Sequence, residues 1–189
     1  MEISKNSIAV FVVILLVALA CGGQSEVVVV QPDKDSSVVD TIDESVPPAG
    51  TARSNPAPMG SAIIAFDMVF TVIDYERPAN KTIERANMFN TKPQGDREYI
   101  LIEMEIACEK TFDEKCVIRG SSFEIVGDGG VIYNRRYASG VKGGLITNEE
   151  FFGGTTITGK IPFIIERSET NLILIYDQFL KSPIYFEIP

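Results

Sequence analysis

The sequence predicts an all-β domain, an antiparallel β-sandwich, carried behind an export signal and a disordered tether. Three observations predict it. Apolar residues recur with period two, most clearly over residues 97–108 (REYILIEMEIAC). About seven short runs rich in Val, Ile, Phe, Thr and Tyr alternate with breaks containing Gly, Pro, Asn or Asp. No long apolar pattern of period 3.6 accompanies them, which leaves sheets to bury the apolar faces against one another.

The chain has 189 residues and a net charge of −9, with no His and no Trp. Its length fits one domain with extensions. An acidic chain is poorly suited to gripping phosphates, so nucleic acid is not an expected partner. Without His, the Ser-His-Asp and Cys-His types of catalysis are excluded, along with most catalytic zinc sites. No metal, cofactor or catalytic residue is expected, and the chain reads as a non-enzyme.

Residues 1–7 are polar, and residues 8–20 form an unbroken apolar run of thirteen. That length suits a signal-peptide core and falls short of the ~20 residues that span a bilayer. Small residues then lead into a cysteine, Ala18-Leu19-Ala20-Cys21-Gly22-Gly23. This ending resembles the lipobox of bacterial lipoproteins, which implies cleavage before Cys21 and acylation of its sulfur. Cys21 would then moor the mature chain to a membrane. Cleavage after Ala18-Leu19-Ala20 by an ordinary signal peptidase, and an uncleaved anchor, are the competing readings.

Residues 21–60 carry Glu26, Asp33, Asp35, Asp40, Asp43 and Glu44 against Lys34 and Arg53, and are interrupted by Pro47, Pro48, Pro56 and Pro58. Only short valine runs are apolar, too little to bury, so this segment reads as a disordered acidic spacer. Asp33 and Asp35 lack the glycine and distal Glu of a calcium loop. Residues 61–189 form the globular domain.

Within that domain, residues 62–75 (AIIAFDMVFTVIDY) read as a strand, ended by Arg77-Pro78-Ala79-Asn80. The next strand, 97–108, places Ile100, Ile102, Met104, Ile106 and Cys108 on its core face. Tyr99, Leu101, Glu103 and Glu105 fall on the opposite, solvent face. Glu103 and Glu105 share that face by spacing alone and carry no acid–base implication. Residues 123–126 and 131–134 flank Gly127-Asp128-Gly129-Gly130, a hairpin whose glycines supply positive φ. A phosphate cradle would need a helix behind that loop, whereas a strand follows. Residues 155–165, 171–176 and 183–188 close the sheet pattern, and Pro162 marks the first of these as an edge or bulged strand.

The order Glu150-Phe151-Phe152-Gly153-Gly154-Thr155, then Gly159 and Phe163, then Leu172-Ile173-Leu174-Ile175-Tyr176 resembles a bacterial family of exported domains of unknown function. That family is related to mycobacterial immunoprotective extracellular proteins. The resemblance covers roughly residues 62–189. It implies an immunoglobulin-like, telokin-like β-sandwich, often behind a lipoprotein signal and a low-complexity tether, with no activity and no established ligand. Gly153 and Gly154 would turn the chain, Phe163 and Leu174 would fill the core, and Tyr176 needs a partner for its hydroxyl.

With Cys21 acylated, Cys108 and Cys116 remain as a pair bracketing a seven-residue, largely polar connection, residues 109–115. In an oxidising compartment a disulfide is the leading reading, contributing roughly 2–3 kcal/mol. Two free thiols or a metal pair are the alternatives. Tyr133, Arg135, Arg136 and Tyr137 follow the hairpin and could receive a carboxylate or a sugar, with a solvated face as the default. Phe151 and Phe152 lie beside Gly153, where a loop tip could touch a partner or one ring could plug the sandwich. Asp177-Gln178-Phe179 is a weaker case of the same kind. The expected function is a lipid-anchored envelope protein that presents its sandwich to an unidentified protein or glycan. An envelope enzyme or enzyme inhibitor, and a solute-capturing lipoprotein, are the alternatives.

Overall fold

The structure, a computed structural model, describes residues 28–30 and 47–189. The expected signal, Cys21 and much of the expected tether lie outside these residues. The described residues hold eleven strands: β1 (Val28–Val30), β2 (Ala62–Ala65), β3 (Met68–Glu76), β4 (Arg97–Cys108), β5 (Lys115–Arg119), β6 (Phe123–Val126), β7 (Ile132–Asn134), β8 (Asn148–Phe152), β9 (Thr156–Glu166), β10 (Leu172–Tyr176) and β11 (Ile184–Ile188). One short helix, α1 (Asn80–Ala86), follows β3. The strands form a five-stranded sheet β1-β2-β3-β4-β9, a four-stranded sheet β11-β10-β6-β7 and a two-stranded sheet β5-β8, all antiparallel.

The alternation read in β4 builds the core. Ile100, Ile102, Met104, Ile106 and Cys108 are all buried, together with Phe70 and Val72 of β3 and Ile161, Phe163 and Ile165 of β9. From the facing sheet come Phe123, Ile125, Leu172, Leu174, Tyr176, Ile184, Phe186 and Ile188, and the two layers form one contiguous apolar cluster. The fold is an antiparallel β-sandwich, as the sequence predicts. Pro162 sits in β9 at the edge of its sheet, opposite Leu101 of β4. The side of β9 away from β4 is covered in turn, because Arg136 N–H donates to the Pro162 carbonyl at 2.7 Å and residues 144–146 bond to Lys160. Gly159 permits that close approach, since a Cβ there would lie 2.9 Å from Ile146 Cγ1.

Three expectations require correction. The run 62–75 is two strands joined by a tight turn, with Phe66 and Asp67 both left-handed (φ 57° and 59°). No glycine or Asn-Gly marks this turn. The Phe66 ring packs edge-on to Phe70 at 6.2 Å and to Tyr176 at 5.7 Å, which helps offset the strain. Second, the outer face of β4 is only partly solvated. Tyr99 and Leu101 are buried there beneath α1 and residues 138–141, in a second cluster with Ala79, Ile83, Ala138, Val141 and Ile164.

Third, the expected tether is partly ordered. Val28–Val30 pairs with β2, Val29 opposite Ile63. Residues 47–60 join both sheets: Ala57 N–H donates to Tyr185 O at 2.9 Å, its carbonyl accepts from Glu187 N–H at 2.8 Å, and Gly60 N–H reaches Val72 O at 3.0 Å. Pro56 and Pro58 have no N–H to satisfy, so Ala57 supplies the bonding between them. The small Gly50 and Ala57 pack against Ile63, and a Cβ on Gly50 would stand 2.7 Å from Ile63 Cδ1. Composition flagged the prolines here and missed the close packing that small residues allow.

Candidate functional surfaces

Cys108 and Cys116 are joined, with S–S 2.04 Å and Cα–Cα 5.8 Å. The bridge closes the β4–β5 connection at the end of the sandwich. The Cys116 sulfur lies 3.4 Å from the Asp67 carbonyl, a packing contact, because a bridged sulfur has no proton to donate.

The expected Tyr133, Arg135, Arg136 and Tyr137 cluster does not converge. Tyr133, in β7, and Arg135, just past it, are half-buried, while Arg136 and Tyr137 are exposed. The Tyr133 hydroxyl donates to Glu169 Oε1 at 2.8 Å. Burial raises its pKa first, and the hydrogen bond to Glu169 raises it further. Arg135 Nε and Nη2 are buried without a hydrogen-bond partner among the described residues, and burial draws the guanidinium below its usual value. Phe151 and Phe152 are on strand β8 rather than at a loop tip. Phe151 is buried in the main core, and Phe152 is half-exposed with Lys115 Nζ 5.4 Å from its ring centre.

Glu169 is the organising residue that the sequence reading missed. It is buried, and its Oε2 accepts the Gly129 N–H at 2.9 Å. A Cβ on Gly127 or Gly129 would collide with its carboxylate. Of the three glycines in this hairpin only Gly130 has positive φ (71°), so the other two serve close approach rather than turn geometry. Asp128 adds bonds from Thr170 Oγ1 and from Asn171 Nδ2, and these hold its carboxyl below the usual range. An Asp/Glu-rich neighbourhood in a Gly-rich loop was the signal available in sequence, with no indication of which acid turned inward.

Gly153 behaves in the same way. A Cβ there would strike the carbonyls of Lys110 and Thr111, and Gly154 alone has positive φ (76°). The Tyr176 hydroxyl finds no hydrogen-bond partner among the described residues, contrary to expectation. Burial pushes its pKa up to about 12, against a partial offset from the backbone and charge of Arg119.

A shallow groove of about 210 Å³ lies between α1 and residues 90–93, lined by Ile83, Glu84, Asn90, Lys92 and Tyr99. Its floor is fixed by the Tyr99 hydroxyl donating to Thr91 O at 2.8 Å. That volume falls below the ~300 Å³ of ordinary small-molecule sites. The connections at residues 66–67, 109–115, 153–155 and 177–183 gather at one end of the sandwich: Glu109 N–H bonds Asp67 O, Gly153 N–H bonds Glu114 O, and Phe66 packs on Tyr176. Among the described residues no helix is long and apolar enough to cross a membrane.

No family model matches the chain, and no curated protein matches it in sequence. Among solved structures it is similar to the yjhA protein of Bacillus subtilis, with 16% identity over 70% of this chain and 99% of that one and a TM-score of 0.52. This likeness shows the fold. The chain is also similar to ycdA, a lipoprotein candidate of Bacillus subtilis, with 10% identity, 64% and 36% coverage and a TM-score of 0.48. A third similar structure is the secreted protein MPT63 of Mycobacterium tuberculosis, with 12% identity, 67% and 84% coverage and a TM-score of 0.46.

Proposed function

We propose that this chain is an exported, lipid-anchored envelope protein whose immunoglobulin-like sandwich acts by non-catalytic contact with a protein or glycan. The observation that carries the reading is the thirteen-residue apolar run that stops at Cys21, in a chain whose folded part packs an apolar interior between its sheets. A packed interior supports contact through the surface, where loops and sheet faces are presented on a rigid body. An acyl anchor on Cys21 keeps that body at the membrane.

The test has two parts. Palmitate labelling in cells of the wild type and of Cys21→Ser should differ, with label lost in the variant. Cross-linking of the intact anchored protein should then capture a defined envelope component. Equal labelling removes the anchor, and turnover of an envelope polymer by the purified protein replaces the contact role with an enzymatic one.

A further inference from the structure

The described start of the chain points to one end of the molecule. In β1, Val28 lies opposite Ile64 and Val30 opposite Ala62. β1 therefore begins at the end of β2 nearest Ala65, where the Phe66–Asp67 turn lies. Seven residue steps separate Cys21 from Val28. At 3.3–3.6 Å per residue they span at most about 25 Å. The opposite end is farther by the length of the long strands, and the twelve residues of β4 measure roughly 40 Å.

The near end is also where apolar side chains are left in the open. Phe112 in the disulfide-closed connection is 83% exposed, and Phe179 and Leu180 in the β10–β11 connection are 87% and 86% exposed. Phe152, beside the β8–β9 turn, is 48% exposed. Leu180 is held at φ +62°, a conformation unfavourable for an L-residue, and of a kind that concentrates at functional sites.

We propose that this end of the sandwich rests on the lipid surface to which Cys21 is moored, with Phe112, Phe179 and Leu180 entering the boundary between headgroups and acyl chains. The proposal rests on the lipid-anchor reading. The charge at this end selects the mode of contact. Asp67, Glu109, Asp113, Glu114 and Asp177 outnumber Lys110, Lys115 and Lys181, so attraction to anionic lipid is not the driving force. Aromatic and leucine side chains suit an interfacial position. Their contact is weak alone and becomes effective because a short tether keeps the local lipid concentration high. Docking of β1 keeps the tether short.

The test uses the acylated protein reconstituted in phosphatidylcholine vesicles, with a polarity-sensitive fluorophore on Lys181→Cys or, at the opposite end, on Val131→Cys. Doxyl-labelled phosphatidylcholine should quench the label at 181 several-fold more than that at 131. Phe179→Ser with Leu180→Ser should abolish the difference, and added phosphatidylglycerol should not enhance it. Equal quenching at both positions, or no quenching at 181, overturns the proposal. So does a shielded label at 181 that lipid does not quench, which would assign this end to a second copy or a protein. The mass of the mature N-terminus is measured on the same sample. If Cys21 carries no acyl chain, the anchor reading fails separately. The docking face is then decided by the same quenching comparison after coupling Cys21 to maleimide-phosphatidylethanolamine.

Discussion

Glu169 takes the Tyr133 hydroxyl at 2.8 Å on one carboxylate oxygen and the Gly129 N–H at 2.9 Å on the other. One buried side chain thereby ties the β6–β7 hairpin to the turn that leads into β10. Hydrogen bonds to a charged buried acceptor contribute about 1.5–3 kcal/mol each, and removing that acceptor strands both donors. Glu169→Ala should lower stability by roughly 2–4 kcal/mol, and Glu169→Gln by less, because the amide keeps one acceptor. Urea unfolding midpoints measure both. In the Ala variant the Tyr133 phenol should also titrate closer to its ordinary value, which absorbance titration follows. Unchanged midpoints would mean that the hairpin is held by Asp128 alone.

The disulfide lends itself to a thiol count. Cys108 and Cys116 close a loop of eight residue steps, so replacing both by Ala should cost roughly 2–3 kcal/mol by loop-closure entropy. The denatured, unreduced protein should show two fewer reactive thiols than the reduced one. Equal counts would show that the bridge does not form. Under the proposed anchoring through Cys21, membrane association should be unaffected by the double substitution.

Legibility in the sequence followed the length scale of the cause. β4 was readable because one face of a single strand is enough to set its alternation, and Ile100 through Cys108 are buried as that pattern requires. The Cys pair was readable from proximity in the chain. The β2–β3 turn was not, because the left-handed Phe66 packs on a ring from β10, Tyr176, that is distant in sequence. The outer-face burial of Tyr99 and Leu101 depends on α1 and residues 138–141 arriving from elsewhere. Among the candidate site residues, the spacing of Tyr133, Arg135, Arg136 and Tyr137 did not foretell their fates. Strand alternation would put Tyr133, Arg135 and Tyr137 on one face, yet β7 ends at Asn134, Tyr137 is exposed, and Tyr133 bonds to Glu169, which is distant in sequence.

The buried Tyr176 hydroxyl gives a pH prediction. Folding raises its pKa to about 12, so the native state holds the phenol proton more tightly than the unfolded chain does. The resulting stability is whole below pH 10 and is lost as pH rises towards 12. Its size is on the order of 2–3 kcal/mol. Unfolding free energies measured across that window should fall in the wild type and fall less in Tyr176→Phe. At neutral pH the variant should be as stable as the wild type or more so. It keeps the ring contacts at 4.8 Å to Phe123 and 5.0 Å to Phe70 and removes a hydroxyl that has no partner. A loss above about 1 kcal/mol at neutral pH would show that the hydroxyl is bonded after all.

The docked residues 47–60 predict a measurable contribution to stability from the segment before β2. A chain starting at Ser61 loses both hydrogen bonds between Ala57 and β11 and the packing of Gly50 and Ala57 on Ile63. Relative to a chain starting at Pro47, its unfolding free energy should be lower by roughly 2–4 kcal/mol, from two unmade hydrogen bonds and the apolar surface laid bare. A point substitution examines the same contact without shortening the chain. Gly50 has φ +78°, and a Cβ on it would meet Ile63 Cδ1 at 2.7 Å. Gly50→Ala should therefore cost about 1–3 kcal/mol, combining backbone strain with the crowding at Ile63. If neither change moves the urea midpoint, residues 47–60 do not dock in solution. If both do, the segment from Pro47 belongs to the sandwich: its small residues fit against Ile63, and its prolines leave Ala57 to make the bonds.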